Sequence, residues 1–174
     1  MTPDQRQTAL TLLNASASAF LDTITPLTPA QWTHQPNPEQ WSVAQVAEHV
    51  VLAEAALFRK VQALLAAPPN SEPLESTPAT LAELNQVLAG RQGRVPAPPT
   101  ILPSGTWPQT EVTERFLAHR QHLLAFIETN QQPLDHYSAN NAFFGPLSAF
   151  HWLIYAPLHT QRHILQINEI LAHA

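Results

Sequence analysis

The sequence predicts an all-α fold: a helical bundle of four long helices, with one short extra helix and a long Pro-rich loop. Three observations predict it. Apolar residues recur at three- and four-residue steps through four separate segments, the spacing of one helical face. No segment carries the apolar–polar alternation of a half-buried strand. Hydrophobic residues make up 44% and charged residues 12%, the balance of a packed globule rather than of a disordered chain. A chain of 174 residues has the length of one domain and can bury a core without disulfides, so residues 1–174 read as a single domain.

The elements follow in order. Leu10, Leu13, Ala17, Leu21 and Ile24 form the first stripe, over 4–25, with Thr2 as its cap, Pro3 in its first turn and Pro26 and Pro29 beyond its end. The second helix, 43–67, opens on a capping box, Ser42-Val43-Ala44-Gln45. Its face is Val43, Val46, Val50, Leu57, Val61 and Leu64, and Pro68-Pro69 stops it. A Pro-rich connector, 70–76, leads to a short helix over 78–89, opened by Thr77-Pro78 and ended by Gly90. Residues 91–108 hold five Pro and two Gly. This long loop is expected at one end of the bundle, as a lid near the mouth of any pocket. A fourth helix over 110–129 turns Phe116, Leu123 and Ile127 to one face. Residues 130–145 form a second connector, and Pro146 opens the last helix, 147–172. Connectors this long let neighbouring helices run parallel as well as antiparallel.

Composition excludes several classes of function. There is no Cys, so no disulfide scaffold, thiolate nucleophile or Cys-based zinc site exists. Eight Lys and Arg are scattered without a run and the net charge is −5, which argues against a nucleic-acid groove. No stretch approaches the ~20 apolar residues of a membrane span. The first 21 residues lack the basic start and long apolar run of a secretion signal, so they read as a mature helix and the protein as cytoplasmic.

Nine His is a high count, and the last helix concentrates the chemistry: His159-Thr160-Gln161-Arg162-His163. Imidazoles four residues apart share a helical face and can bind one metal ion. The Glu of the zincin protease motif is missing. Trp152, His159, His163, Gln166 and Ile170 fall within roughly 40° of one another at ~100° per residue. The face turned to the core therefore carries two His and one Gln, and buried polar groups need partners. A catalytic zinc-type site uses three protein ligands and an open position. His49, at the edge of the second helix's apolar face beside small Ala53 and Ala56, is a candidate for the third; His119 and His151 are others. His34, His122, His136 and His173 read as loop, surface or terminal positions. Pro157 removes one helical hydrogen bond two residues before His159, which either re-aims that side chain or bends the helix round its neighbours.

Three pieces of the sequence carry a family resemblance. They are Trp41-Ser42-Val43-Ala44-Gln45-Val46-Ala47-Glu48-His49, Phe143-Phe144-Gly145-Pro146-Leu147, and His159-x-x-x-His163-x-x-Gln166. In order and separation they resemble the DinB/YfiT-like superfamily of bacterial metal-binding four-helix bundles, over nearly the whole chain. The resemblance implies an up-down-down-up bundle, often a homodimer, with a divalent metal held by His49, His159 and His163. Three imidazoles suit Zn, Ni or Fe, and affinity order alone does not choose among them. Some relatives transfer a low-molecular-weight thiol such as bacillithiol or mycothiol; others are hydrolases or isomerases. The extra C-terminal domain of the mycothiol-dependent isomerases is not expected here, because the sequence stops directly after the metal helix.

Two functions compete at this point. The first is a metal-dependent transferase acting with a low-molecular-weight thiol, or a metal-dependent hydrolase, on a small-molecule substrate. With no Cys in the chain, the thiol would come from the cosubstrate. A general base is missing from the motifs: Glu48 points about 100° away from His49 on the helix, leaving His119 or His151. The second is a non-catalytic metal- or small-molecule-binding stress-response bundle, whose extra apolar surface would suit a homodimer face. An open metal position beside a pocket separates the first from the second.

Overall fold

The computed structural model describes residues 1–74, 78–89 and 96–173, with 78–80 and 89 described by backbone only. Six α-helices dominate: α1 (Pro3–Ile24), α2 (Pro29–Thr33), α3 (Val43–Leu65), α4 (Pro78–Ala89), α5 (Gln109–Thr129) and α6 (Ala149–Leu171). Single 3-10 turns lie at Pro99–Ile101 and Leu134–His136, and two short strands, β1 (Ser138–Asn141) and β2 (Gly145–Ser148), pair antiparallel before α6. The Ser42 capping box forms as the sequence predicts, and the predicted Thr2 cap is a capping box as well, each side chain bonding the amide of Gln5 or Gln45 while that glutamine bonds back. Among the described residues, no helix is long and apolar enough to cross a membrane.

The long helices pack in a ring: α6 lies against α1 and α3, and α5 lies against the same two. Contacts at the helix ends fix the directions. Arg6, in the first turns of α1, donates to the carbonyl of Asn130 at the end of α5, and Gln109 at the start of α5 donates to Thr25 at the end of α1. Those two helices are antiparallel. Gln132, just past α5, donates to Leu65 at the end of α3, so α3 and α5 run together. The early turns of α3 meet the late turns of α6, which makes that pair antiparallel. The order is up-down-down-up.

The core has two apolar halves. One contains Phe20, Ile24, Val43, Val46, Val50, Phe116, Ile167 and Ile170; the other contains Ala9, Leu13, Val61, Leu123, Ile127, Leu153 and Ile154. Between them all four long helices contribute a polar residue. Arg120 Nε donates to Glu54 Oε2 at 3.0 Å while Nη2 donates to Oε1, and Nη1 donates to the Leu13 carbonyl at 2.7 Å and to Ser16 Oγ at 3.0 Å. Thr160 Oγ1 also donates to Glu54. Glu54 is wholly buried and Arg120 is 3% exposed. Each buried charge is therefore met by an opposite charge and several hydrogen bonds, the condition under which such burial is tolerated.

Two parts of the chain depart from the predicted elements. Pro29 does not simply end the first helix; it opens the five-residue α2, capped by Thr28, which buries Trp32. So short a helix has no room for a periodic stripe. The segment read as an irregular connector contains the hairpin, and Pro146 lies in β2 opposite Asn140 instead of opening α6. Ser148 caps α6, its hydroxyl accepting from the amide of His151 while its own amide donates to His151 Nδ1. The hairpin turns at Gly145, whose φ of +68° suits glycine, and Asn141 Oδ1 accepts from the amides of Phe143 and Phe144. Pro157 lies inside the last helix as predicted, and α6 runs through it as one helix. Thr77, Gly90 and residues 75, 76 and 91–95, which the sequence reading used for the connector, the caps of α4 and the start of the long loop, lie outside the described residues.

The polar layer predicts an unusual order of stabilities. Arg120→Met strands the Glu54 carboxylate and should cost about 3–5 kcal/mol. Adding Glu54→Leu should recover much of that loss, because Ser16 and Thr160 keep local partners in the Leu13 and Ala156 carbonyls. Urea unfolding of the single and double variants checks this; a double variant less stable than Arg120→Met would contradict it.

Candidate metal centre

His49, on the second turn of α3, meets His159 and His163 on α6. The ring centroids are 5.2 Å apart for His49 and His159, 4.8 Å for His49 and His163, and 4.3 Å for the two on α6. One ring nitrogen from each lies within 4.8 Å of the others. His49 and His163 are 3% and 7% exposed. The other rings touching the cluster are aromatic: Trp41 packs 4.8 Å from His49, and Tyr155, one turn before His159, stacks on it at 6.1 Å.

Hydrogen bonds orient two of the three rings. Nδ1–H of His49 donates to the carbonyl of Ile101 at 2.9 Å, and Nδ1–H of His163 donates to Gln166 Oε1 at 2.9 Å. Each bond puts the ring proton on Nδ1 and makes Nε2 the acceptor nitrogen. His159 Nε2 lies 3.1 Å from His163 Nε2, so without a cation a proton must sit between them. His159 Nδ1 is then buried without a partner. Burial pulls the His159 imidazole well below the ordinary histidine range, and the nearby His163, His49 and Arg162 push in the same direction. Burial also lowers His49, opposed by its bond to Ile101. Burial thus favours the neutral form of His49 and His159, the form that ligates metal.

The donor set fits a divalent ion. Neighbouring nitrogens bound to one ion at about 2.0–2.1 Å stand about 3.0–3.4 Å apart, and the two Nε2 atoms on α6 already do. A shared cation would relieve their lone-pair conflict more completely than one proton. The Nδ1 bonds of His49 and His163 are the outer contacts that fix ligand orientation in metal sites. Among the described residues, no fourth His, Asp or Glu joins the cluster.

The other candidates go elsewhere. Glu48 does not face the cluster; its carboxylate accepts from the amides of Ser104 and Gly105, so it is not free to act as a base. His119 is on α5 with its ring 5.9 Å from Phe58, lining a separate groove with Arg59 and His122. His151 is tied to Ser148 at the start of α6. Gln166 does join the site, as the partner of His163, and its place on the same helical face was the signal. No sequence signal marks the Ile101 carbonyl, since every residue carries one. The described part of the long loop, 96–108, does lie at the His end of the bundle, as expected for a lid.

Comparisons with known proteins bear on the family and the fold. A family model for the DinB superfamily matches residues 12–167. Among solved structures, a candidate DinB family member from Exiguobacterium sibiricum is similar over 99% of this chain and 93% of its own, with a TM-score of 0.58 and 17% identity. At that identity the likeness bears on the fold alone. No curated protein matches the chain. With the family model covering all but the two ends, the chain belongs to the DinB superfamily.

Proposed function

We propose that His49, His159 and His163 hold one divalent ion, Zn, Ni or Fe, and that the protein is a metal-dependent transferase acting with a low-molecular-weight thiol. The observation that carries this reading is the convergence of three imidazoles, two with Nδ1 bonded to a carbonyl-type oxygen and none joined by a fourth protein ligand among the described residues. A structural site would be closed by four protein ligands; three leave a side for a small molecule. The bound ion supplies Lewis-acid character and lowers the pKa of a coordinated thiol or water toward 7. The chain's part is to bring three imidazoles together, to fix two of them through Ile101 and Gln166, and to wall the site with Trp41 and Tyr155. In the overall reaction a thiol S–C bond forms, the bond from carbon to the leaving group breaks, and the thiol proton passes to solvent. Hydrolysis of a small ester or amide is the same site's reaction with water in place of the thiol. We place the protein in the cytoplasm, as a homodimer working on small molecules rather than nucleic acid.

Metal binding is checked first. Protein made without a His-tag or chelator should carry close to one ion per chain. Replacing any one of His49, His159 and His163 by Ala should largely abolish binding, while His122→Ala and His136→Ala leave it unchanged. At a free metal concentration 100 times Kd, the ion adds about 2.7 kcal/mol, roughly 5–11 °C in Tm for a chain of this size. Chelation should remove that gain from the wild type and leave the Tm of His163→Ala nearly unmoved. Catalysis is checked by mixing the loaded protein with a low-molecular-weight thiol and an alkyl halide. Metal-dependent thiol loss is expected. If neither thiol transfer nor ester hydrolysis is accelerated, the protein is instead a metal- or small-molecule-binding bundle of the stress-response kind.

The same histidines set a pH dependence. His49 and His159 titrate lower in the folded chain than in the unfolded one. Below an unfolded value of about 6.5, the unfolded chain therefore binds more protons, and stability falls as pH falls. His119 and His151, also lowered by burial, add to the same trend. The metal-free protein should keep its Tm above about pH 7 and lose it progressively toward pH 5. His159→Gln should flatten that slope. A Tm constant across the range would contradict the buried neutral cluster.

A further inference from the structure

We infer that Glu48 is a positioning residue for the histidine cluster, acting through a strap formed by residues 99–107. The inference rests on the metal-site reading above and extends it to a residue that neither ligates nor transfers a proton.

Glu48 precedes His49 on α3 but points to the other side, into the strap. It is 2% exposed, so its carboxylate needs protein donors. Oε1 accepts from the Ser104 amide at 2.8 Å and from Ser104 Oγ at 2.9 Å; Oε2 accepts from the Gly105 amide at 2.7 Å. Three residues before Ser104, the Ile101 carbonyl accepts from His49 Nδ1–H. Adjacent residues of α3 therefore grip the strap at two points, one through a carboxylate and one through an imidazole. The 3-10 turn at Pro99–Ile101 packs on α3, and beyond the grip Trp107 packs on the core half nearest the cluster, with the Arg115 guanidinium 4.4 Å from its ring. Fixing the amides of 104 and 105 fixes where the 101 carbonyl points. That carbonyl decides which nitrogen of His49 carries the proton, and so whether Nε2 faces the cluster as a ligand. Partners of this outer kind typically change metal affinity 10–100-fold. By reciprocity, an ion that holds His49 in place tightens the strap.

The strap shows why a carboxylate is needed. A glutamine at 48 has the same shape but one acceptor oxygen, and its NH2 would meet an amide N–H donor to donor. The strap can also be disturbed from its own side. Gly105 is exposed with φ +73°, and a Cβ there would lie 2.9 Å from Gln45 Cγ.

The test uses Glu48→Gln and Gly105→Ala, two changes on opposite sides of the contact, so that one remains informative if the other fails to fold. Long-range 1H–15N spectra of the metal-free protein report the tautomer of His49. The wild type should show a single Nδ1–H form, and both variants a mixture. Isothermal titration with Zn should give a Kd at least about tenfold weaker in each variant, and Zn should slow amide exchange at 104 and 105 in the wild type but not in Glu48→Gln. His163→Ala should lose Zn yet keep the His49 tautomer. Folded variants with the wild-type tautomer, or with an altered tautomer but unchanged Zn affinity, would overturn the inference. If the wild type itself fails to bind Zn through the three histidines, the metal reading falls and takes this inference with it; the tautomer comparison then shows separately whether the strap orients His49.

Discussion

Glu54 has no exposed surface and Arg120 almost none, so water compensates neither charge. The compensation comes from a bidentate pair between α3 and α5, extended to α1 through the Leu13 carbonyl and Ser16 and to α6 through Thr160. An apolar core accepts helix shifts of a few tenths of an ångström at little cost, but a buried charge pair does not, because every misplaced donor is an unsatisfied one. This layer therefore sets how α3 and α6 are aligned along their axes. Its consequence for the site is direct. Glu54 lies five residues after His49, and Thr160 immediately follows His159. Sliding α6 by one residue, about 1.5 Å, would break the contact to Glu54 and also pull His159 and His163 away from His49.

The site built on that frame is a cluster of three imidazoles, two of them held below the ordinary histidine range. Burial lowers His159 most, with its histidine neighbours and Arg162 adding to the effect. His49 and His163 have their Nδ1 protons committed to oxygen acceptors. What results is a concentration of lone pairs with few donors nearby, which is costly for an empty core and suited to a cation. The stability that would be gained by a more ordinary apolar contact at these three positions is the measure of how strongly the site is specialised. The strap adds a constraint from outside the bundle. Because Ile101 orients His49 and Glu48 anchors the strap, a segment with little regular structure is tied to the most buried part of the site.

Much of the fold was legible in the sequence, for physical reasons that also explain what was not. Long amphipathic helices announce themselves through period and caps: Thr2 and Ser42 mark the first and third helices where the structure places them. The hairpin did not, because Ser138–Asn141 and Gly145–Ser148 contain no β-branched or aromatic residue to suggest a strand. The pairing of His159 with His163 follows from helical spacing, while the approach of His49 depends on tertiary packing and came through the family resemblance. Arg120 lies on the stripe of Phe116, Leu123 and Ile127, and Glu54, four residues after Val50 on the stripe of α3, is its counterpart. Reading the two as a pair required opposite charges on two buried stripes to be matched across helices. Glu48 could not be assigned from sequence, since its partners are backbone amides more than fifty residues away.

The central claim is that three imidazoles from α3 and α6 share one divalent ion. Anomalous diffraction from crystals grown with Zn, recorded on both sides of the metal edge, tests it most directly. The account predicts one strong peak per chain, within bonding distance of Nε2 of His49, His159 and His163. A peak bound elsewhere, such as at His119 and His122, or none at the cluster despite saturating Zn, would contradict it.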